Sequence, residues 1–451
     1  MAKDRRRIVV AGGGFAGVEC ARRLEAEFGD DPHVELVMVS GENFLLFTPM
    51  LPQVVSGMLE TRHIVTPIRA VCRKTRFYEG QVKGIDPYGK IVTLWGGEYG
   101  RGLSIHYDFL VVALGSETNF FGMSDVERNA YTMKTLSDAA ALRNRVIDVL
   151  EHAENETDPI LRKSLLNFVV AGGGFAGIET AGELMDLLHD ARRYYRTIRK
   201  DDLRVVVLEA LPGILPAFNQ KLAEFAKAKM EKRGIEFKLQ RAVEGFDGEE
   251  IIVRKLGGKE DGRGGKESIV SKTLIWTAGV MPVNTIKRAM LKTERGKIVV
   301  NGDLEVPEFP GVFAIGDCAL FTDPETGRPV PPTAQIAEAQ ARTAAKNLVA
   351  LIRKNREKEA FAYKPKGQMA IIGKRSGIAS VFGVSISGFW AWLVWRSVYL
   401  SKIPSGEKKT RVLLDWTIDL FFRRDISRLR LARLESKKKE YRALDEVDEL
   451  W

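Results

Sequence analysis

Seven residues, Ala11-Gly12-Gly13-Gly14-Phe15-Ala16-Gly17, recur letter for letter 160 residues later as Ala171-Gly172-Gly173-Gly174-Phe175-Ala176-Gly177. Two valines precede each copy, Val9-Val10 and Val169-Val170, and a glutamate lies two residues beyond each, Glu19 and Glu179. Solenoids and propellers repeat at roughly 20–50 residues, so this spacing marks two copies of one domain type instead. The pattern has a physical reading. Gly12 permits a tight turn, Gly14 lets the backbone approach a diphosphate, and Gly17 lets a helix pack against a strand. The helix that follows offers unpaired N–H groups and the positive end of its dipole. Gly172, Gly174 and Gly177 repeat the device.

Each copy stands in the context the motif needs. Ile8 to Ala11 and Phe168 to Ala171 are apolar, β-branched runs that predict buried strands. Helical patterns follow over 18–28 and 178–195, then apolar runs over 34–39 and 204–208. A closing strand is predicted in each unit, over 107–116 and 273–279. A last strand over 312–315, ending in Gly316-Asp317, reads as a return to the first unit. The expected fold class is therefore α/β, with two Rossmann-like dinucleotide-binding domains, the second inserted in the first. The expected boundaries are 1–120 with 286–350 for the first domain, 121–285 for the second, and 351–451 for a C-terminal region. The segment 257–266 reads as a hairpin tip, and 281–302 as the linker back.

The acidic residue closing the second strand selects the nucleotide. In the second unit it is Glu209, where a carboxylate accepts from a ribose 2′-hydroxyl and repels a 2′-phosphate, favouring NADH over NADPH. In the first unit Ser40 stands there, with Glu42 two residues on; either suits a ribose hydroxyl. Asp317, at a strand end, suits a flavin ribityl hydroxyl. The three cysteines, Cys20, Cys72 and Cys318, are scattered and odd in number, so neither a disulfide framework nor a thiolate metal site is expected. The five histidines lack metal-ligand spacing, and no metal is expected. The N-terminus lacks the apolar core of a signal peptide.

Together these residues resemble the two-dinucleotide-binding flavoproteins, and within them the type II NADH:quinone oxidoreductases, single-subunit NADH dehydrogenases that do not pump protons. Leu46-Phe47-Thr48-Pro49-Met50-Leu51 is similar to that family's loop beside the flavin. Gly177 to Leu184 is similar to its second nucleotide helix, and Ala334 to Gln340 to its quinone-site motif. The resemblance implies non-covalent FAD, NADH on one face of the flavin and a quinone reaching the other. It makes Gly12, Gly14, Phe15, Ala16, Gly17, Ser40, Glu42, Pro49, Gly115 and Asp317 candidate FAD contacts. It makes Gly172, Gly174, Gly177, Glu209, Ala278 and Gly279 candidate NADH contacts. Glu179 is implied beside the nicotinamide and flavin, and Ala334, Gln335 and Gln340 at the quinone. Glu179 and Gln335 are the candidate catalytic pair. Two departures stand out: the motif ends in Ala339-Gln340 where the family has two glutamines, and Ser40 replaces a common acidic residue. A sulfide:quinone oxidoreductase-like enzyme, or an NADH reductase with another acceptor, is the alternative. The first would need redox cysteines, for which Cys72 and Cys318 are the conceivable pair.

In the C-terminal region, Ser387 to Leu393 resembles the start of that family's membrane anchor. No apolar window of about 20 residues exists, so no spanning helix is expected. Trp392, Trp395 and Tyr399 recur at helical spacing, and Leu413, Trp416 and Leu420 repeat the theme over 412–422. Arg411 with Asp415, and Asp419 with Arg423, are spaced to pair. Residues 423–442 hold nine Lys or Arg against three Asp or Glu, in a chain of net charge +10. Amphipathic aromatic helices beside a basic segment suit an anionic lipid surface. The aromatics are not interleaved with the basic residues, so nucleic acid is not expected. The expectation is a peripheral protein on the cytoplasmic face of the cell membrane, and, from the resemblance, a homodimer.

Overall fold

The computed structural model describes residues 5–96, 101–256 and 265–428. The repeat extends far beyond the glycine motif. The first sheet is parallel, in the order Val312–Ala314, Phe109–Val112, Arg6–Ala11, Val34–Ser40, Arg76–Glu79. The second is also parallel, in the order Tyr131–Thr132, Thr273–Trp276, Asn167–Ala171, Arg204–Glu209, Ile235–Leu239. Each glycine motif thus follows the central strand of its sheet, where a buried apolar run with cover on both faces is required. The strand Val312–Ala314 brings the chain back to the first sheet, so the second sheet is an insertion.

Each sheet also carries a three-stranded antiparallel excursion: Gln81–Asp86, Ile91–Gly96 and Arg101–His106 in the first, Arg241–Phe246, Glu250–Lys255 and Lys266–Val270 in the second. The hairpin tip expected at 257–266 falls mostly outside the described residues; the strands flanking it pair. The linker expected over 281–302 is more ordered than the sequence indicated. Its Val280–Pro282 pairs antiparallel with Ser116–Thr118, so the chain leaves and re-enters the first domain through one two-stranded ribbon.

Alternation along the central strand divides the first domain into two cores. Ile8 and Val10 pack with Val111 and Phe313 against the helices Phe15–Phe28 and Ala334–Arg353. Val9 and Ala11 pack on the opposite face with Leu110, Val112 and Cys318.

The C-terminal region departs from expectation. Before its helices comes a three-stranded antiparallel sheet, Gly367–Ile371, Gly377–Val381 and Val384–Gly388. The helices are Phe389–Lys402 and Gly406–Phe421, broken at Ile403-Pro404 and restarted by Ser405, whose side chain accepts from Lys408 N. Trp392, Trp395 and Trp416, read from spacing as a lipid-facing stripe, are buried at 7%, 1% and 3% exposure. They pack on the body of the protein. The faces left open carry Phe389, Trp390 and Leu393 on one helix and Leu413, Leu414, Ile418, Leu420 and Phe421 on the other. Periodicity locates a stripe but cannot say which neighbour covers it.

The expected ion pairs on the last helix also re-sort. Arg411 pairs with Glu407 at 2.9 Å, Asp415 with His63 Nδ1 at 2.5 Å, and Asp419 with Arg424 at 3.4 Å. Two of these three reach outside the helix, because burial makes tertiary partners available. Among the described residues no helix is long and apolar enough to cross a membrane. The basic segment beyond Arg428 lies outside the described residues.

Candidate active site

A cavity of about 2030 Å³ runs between the two nucleotide domains and the C-terminal unit. That is at least about twice the volume that encloses a single drug-sized ligand. Its wall includes Gly12, Gly14, Phe15, Ala16, Ser40, Glu42, Pro49, Gly115 and Asp317 from the first domain. Glu179 comes from the second, and Ala334 and Gln335 from the helix that follows the return strand.

The first glycine loop fits a dinucleotide diphosphate. Gly12 has φ +121°, and a Cβ there would stand 2.1 Å from Ala113 O. A Cβ on Gly14 would meet nothing within 4 Å, so the loop is open where a ligand must approach. Gly17 does not line the cavity; a Cβ there would lie 1.9 Å from Gly12 O, which is the close helix–strand packing the motif requires. Gly14 is the N-cap of the helix Phe15–Phe28 and no side chain caps it, leaving N–H groups free for an anion. Gly115, with φ +72°, and Asp317 complete the rim. Ser40 is nearly buried, and its Oγ accepts from Glu42 N at 3.3 Å, which ties the two ribose candidates together. This donor and acceptor set suits FAD.

The second glycine loop has the same geometry. Gly172 has φ +113°, and a Cβ on Gly177 would fall 1.9 Å from Gly172 O. Glu209 closes the loop: its carboxylate accepts from Gly173 N and, at 2.7 Å, from Leu211 N. Gly172, Gly174, Gly177, Glu209, Ala278 and Gly279 do not form part of the cavity wall. The helix Phe175–Ala191 leads from this loop to the cavity, where Phe175, Ala176, Glu179 and Thr180 are presented.

Glu179 is 8% exposed, and its Oε1 accepts from Ile371 N at 3.0 Å. Burial pushes its carboxyl up to about 8, against the pull of the Ile371 N–H and with help from neighbouring Glu183. A carboxyl held neutral near pH 7 is a proton donor. Tyr399, whose hydroxyl burial raises with Glu179 adding to the effect, lines the same cavity. Gln335 is fixed at both ends of its amide: Nε2 donates to Gly367 O at 3.1 Å, and Tyr363 OH donates to Oε1 at 3.0 Å.

Gln340 corrects the sequence reading. It is 1% exposed, and its Oε1 accepts from Gly316 N at 2.7 Å. It sits beneath the loop that carries Asp317 rather than on the cavity wall, because it lies more than a turn beyond Gln335 on the helix Ala334–Arg353. The cysteine pairing required by the sulfide alternative is also absent. Cys72 and Cys318 lie in cores on opposite faces of the first sheet, and burial raises both thiols, to about 12 and about 11. Cys318 Sγ faces Ile315 O and Val112 O, as a packing residue would.

Sequence reasoning missed Lys134, Ser116, Tyr363, Thr180 and Tyr399, all on the cavity wall. Lys134 had a legible signal, since it precedes the capping box Thr135 to Asp138 at the entry of the helix Leu136–Asn155, and so had Thr180, which follows Glu179 in the second nucleotide helix. The others are brought in by tertiary contacts.

The family model for pyridine nucleotide-disulphide oxidoreductases matches residues 6–341, and that for the NDH2 C-terminal domain matches 366–425. A type II NADH:quinone oxidoreductase of Mycobacterium tuberculosis is 33% identical over 427 residues, covering 92% of this chain and 88% of that protein. One from Staphylococcus aureus is 28% identical, covering 86% and 92%. The structure of NDH2 from Plasmodium falciparum in complex with NADH superposes with a TM-score of 0.85 over 94% of this chain and 100% of that one, at 20% identity. The sulfide:quinone oxidoreductase of Aquifex aeolicus shares the fold at a TM-score of 0.69 and 18% identity, covering 92% of this chain and 95% of that one. With its repeated glycine loops, its Glu179 and its C-terminal unit, this chain belongs to the pyridine nucleotide-disulphide oxidoreductases and, among them, to the type II NADH:quinone oxidoreductases.

Proposed function

We propose that this protein oxidises NADH and passes the electrons through bound FAD to a membrane quinone, without pumping protons. The observation that carries the reading is one continuous cavity onto which three elements open: the first glycine loop, the second nucleotide helix at Glu179, and the start of the helix Ala334–Arg353 at Gln335. FAD, when bound, supplies the two-electron redox chemistry. The chain's own residues bind, orient and protonate. Gly12, Gly14, Phe15 and Ala16 receive the FAD diphosphate, with Gly17 supporting the loop. Ser40 and Glu42 take the ribose, Pro49 and Gly115 flank the ring system, and Asp317 takes a ribityl hydroxyl. Gly172, Gly174, Gly177, Ala278 and Gly279 receive NADH, with Glu209 excluding a 2′-phosphate. Glu179 holds a proton at the cavity at neutral pH. Ala334 and Gln335 meet the quinone head group, where the second amide N–H of Gln335 remains available.

The exposed apolar faces of the two C-terminal helices support attachment to a lipid surface. We extend this to a peripheral position on the cytoplasmic face of the cell membrane, and to a homodimer. The test is steady-state turnover with a short-chain quinone. Quinone-dependent consumption of NADH, with NADPH used at least about tenfold less well, is expected. Turnover with sulfide but not NADH would overturn the reading.

A further inference from the structure

Lys134 belongs to the inserted domain, yet its ammonium reaches into the first. It stands between the strand Tyr131–Thr132 and the helix Leu136–Asn155, and a capping box fixes its backbone. Asp138 accepts from Lys134 N at 3.1 Å and from Thr135 N at 2.9 Å, while Asp138 N donates to Thr135 Oγ1. From that anchored start, Lys134 Nζ donates to Ser116 Oγ at 2.8 Å. Ser116 Oγ in turn donates to Asp317 Oδ2 at 2.7 Å. The chain of contacts crosses from one nucleotide domain to the other through the hinge ribbon, since Ser116 begins the strand Ser116–Thr118.

All three side chains line the cavity. Ser116 spends its one proton on Asp317 and accepts from Lys134, so its rotor is locked by both neighbours. Among the described residues Nζ has one hydrogen-bond acceptor, Ser116 Oγ, which leaves two of its three N–H groups for whatever fills the cavity. Burial makes this ammonium costly to keep charged, with Asp317 opposing the cost. A largely buried cation that reaches its carboxylate only through a hydroxyl is under-paired by the protein itself.

We propose that Lys134 is a positioning residue for the flavin: through Ser116 it fixes the Asp317 carboxylate, and its free N–H groups take oxygen acceptors of the ribityl arm beside that carboxylate. This rests on the reading that the first domain holds FAD. Two consequences follow. Losing the ammonium weakens FAD binding. It also removes a positive charge that favours the electron-rich reduced cofactor, moving the flavin midpoint potential to more negative values. A role confined to domain packing would leave that potential in place.

The experiment compares wild type, Lys134→Met, Lys134→Arg and Ser116→Ala in two readouts: FAD affinity by reconstitution of deflavinated protein, and midpoint potential by spectroelectrochemical titration. K134M is expected to bind FAD at least about tenfold more weakly, the loss of a charge-assisted hydrogen bond, and to show a more negative potential. K134R is expected to retain most of both, and S116A to fall between. Wild type that holds no FAD would sink the cofactor reading itself. Wild type that holds FAD, with native affinity and potential in K134M, would overturn the positioning role. Should K134M fail to fold, native affinity and potential in S116A would overturn it equally.

Discussion

Glu179 is one residue through which pH can act. Burial disfavours its charged form and pushes its carboxyl up to about 8 in the folded protein. In the unfolded chain a glutamate titrates near ~4.3. Between these values the unfolded state gives up the proton first, so this group's contribution to stability declines as pH rises through the window. Glu179→Gln cannot ionise, and its thermal midpoint should fall less between about pH 5 and pH 8 than that of wild type; parallel curves would refute the assignment. If Glu179 delivers a proton, the same variant should lose about 10²-fold in quinone-dependent turnover. Tyr363 makes a second residue-scale case. Tyr363→Phe removes the donor that orients Gln335 Oε1. The KM for quinone should rise several-fold while reduction by NADH keeps its rate, and a reversed pattern would place Gln335 on the NADH side. Of these residues, Glu179 and Gln335 were legible through resemblance to a family, whereas Tyr363 was not. Its contact with Gln335 spans 28 residues and depends on how the chain after the helix turns back.

At the scale of elements, the helix Phe175–Ala191 links the chemistry to the C-terminal unit. Glu179 takes the Ile371 N–H of the C-terminal sheet, and four residues along Glu183 meets Arg424, just past the last helix. Arg424 and Glu183 are 1% and 2% exposed. Arg424→Ala strands a buried carboxylate, and the expected cost is about 3–5 kcal/mol. The pair E183Q with R424M should recover only part of it, since Asp419, which also pairs with Arg424 at 3.4 Å, is still left without its cation; thermal unfolding of the three proteins decides. Gly182, between the two glutamates, shows why the helix sits so close: a Cβ there would meet Gly373 N and Ile372 C at 3.0 Å. The elements of the two nucleotide domains were readable because each glycine loop sits between an apolar strand and an amphipathic helix. The C-terminal sheet was not, because short strands such as Gly367–Ile371 carry glycine and polar residues that satisfy no alternating pattern.

At the scale of the whole molecule, the cavity and the open apolar face lie on connected parts of the structure. Trp390 is 67% exposed, Leu414 55% and Phe421 79%. Replacing all three by serine should cut co-sedimentation with anionic vesicles by about tenfold or more, each side chain withdrawing burial that contributes about 1.5–3 kcal/mol at most. Turnover with a soluble short-chain quinone should change less than about twofold. Unchanged co-sedimentation would move the attachment to another surface. The overall plan was legible because the two glycine copies and the return strand at 312–315 leave little choice of topology. Which apolar face stays open was not, since Trp392, Trp395 and Trp416 carry the same periodicity as their exposed neighbours and only packing separates the two. The central claim, that electrons pass from NADH to FAD to quinone within this one chain, is tested most directly by following the flavin absorbance without oxygen. Bleaching on addition of NADH, then rapid recovery on addition of a short-chain quinone, is the predicted result; a flavin that NADH does not bleach, or that stays bleached after quinone, would contradict it.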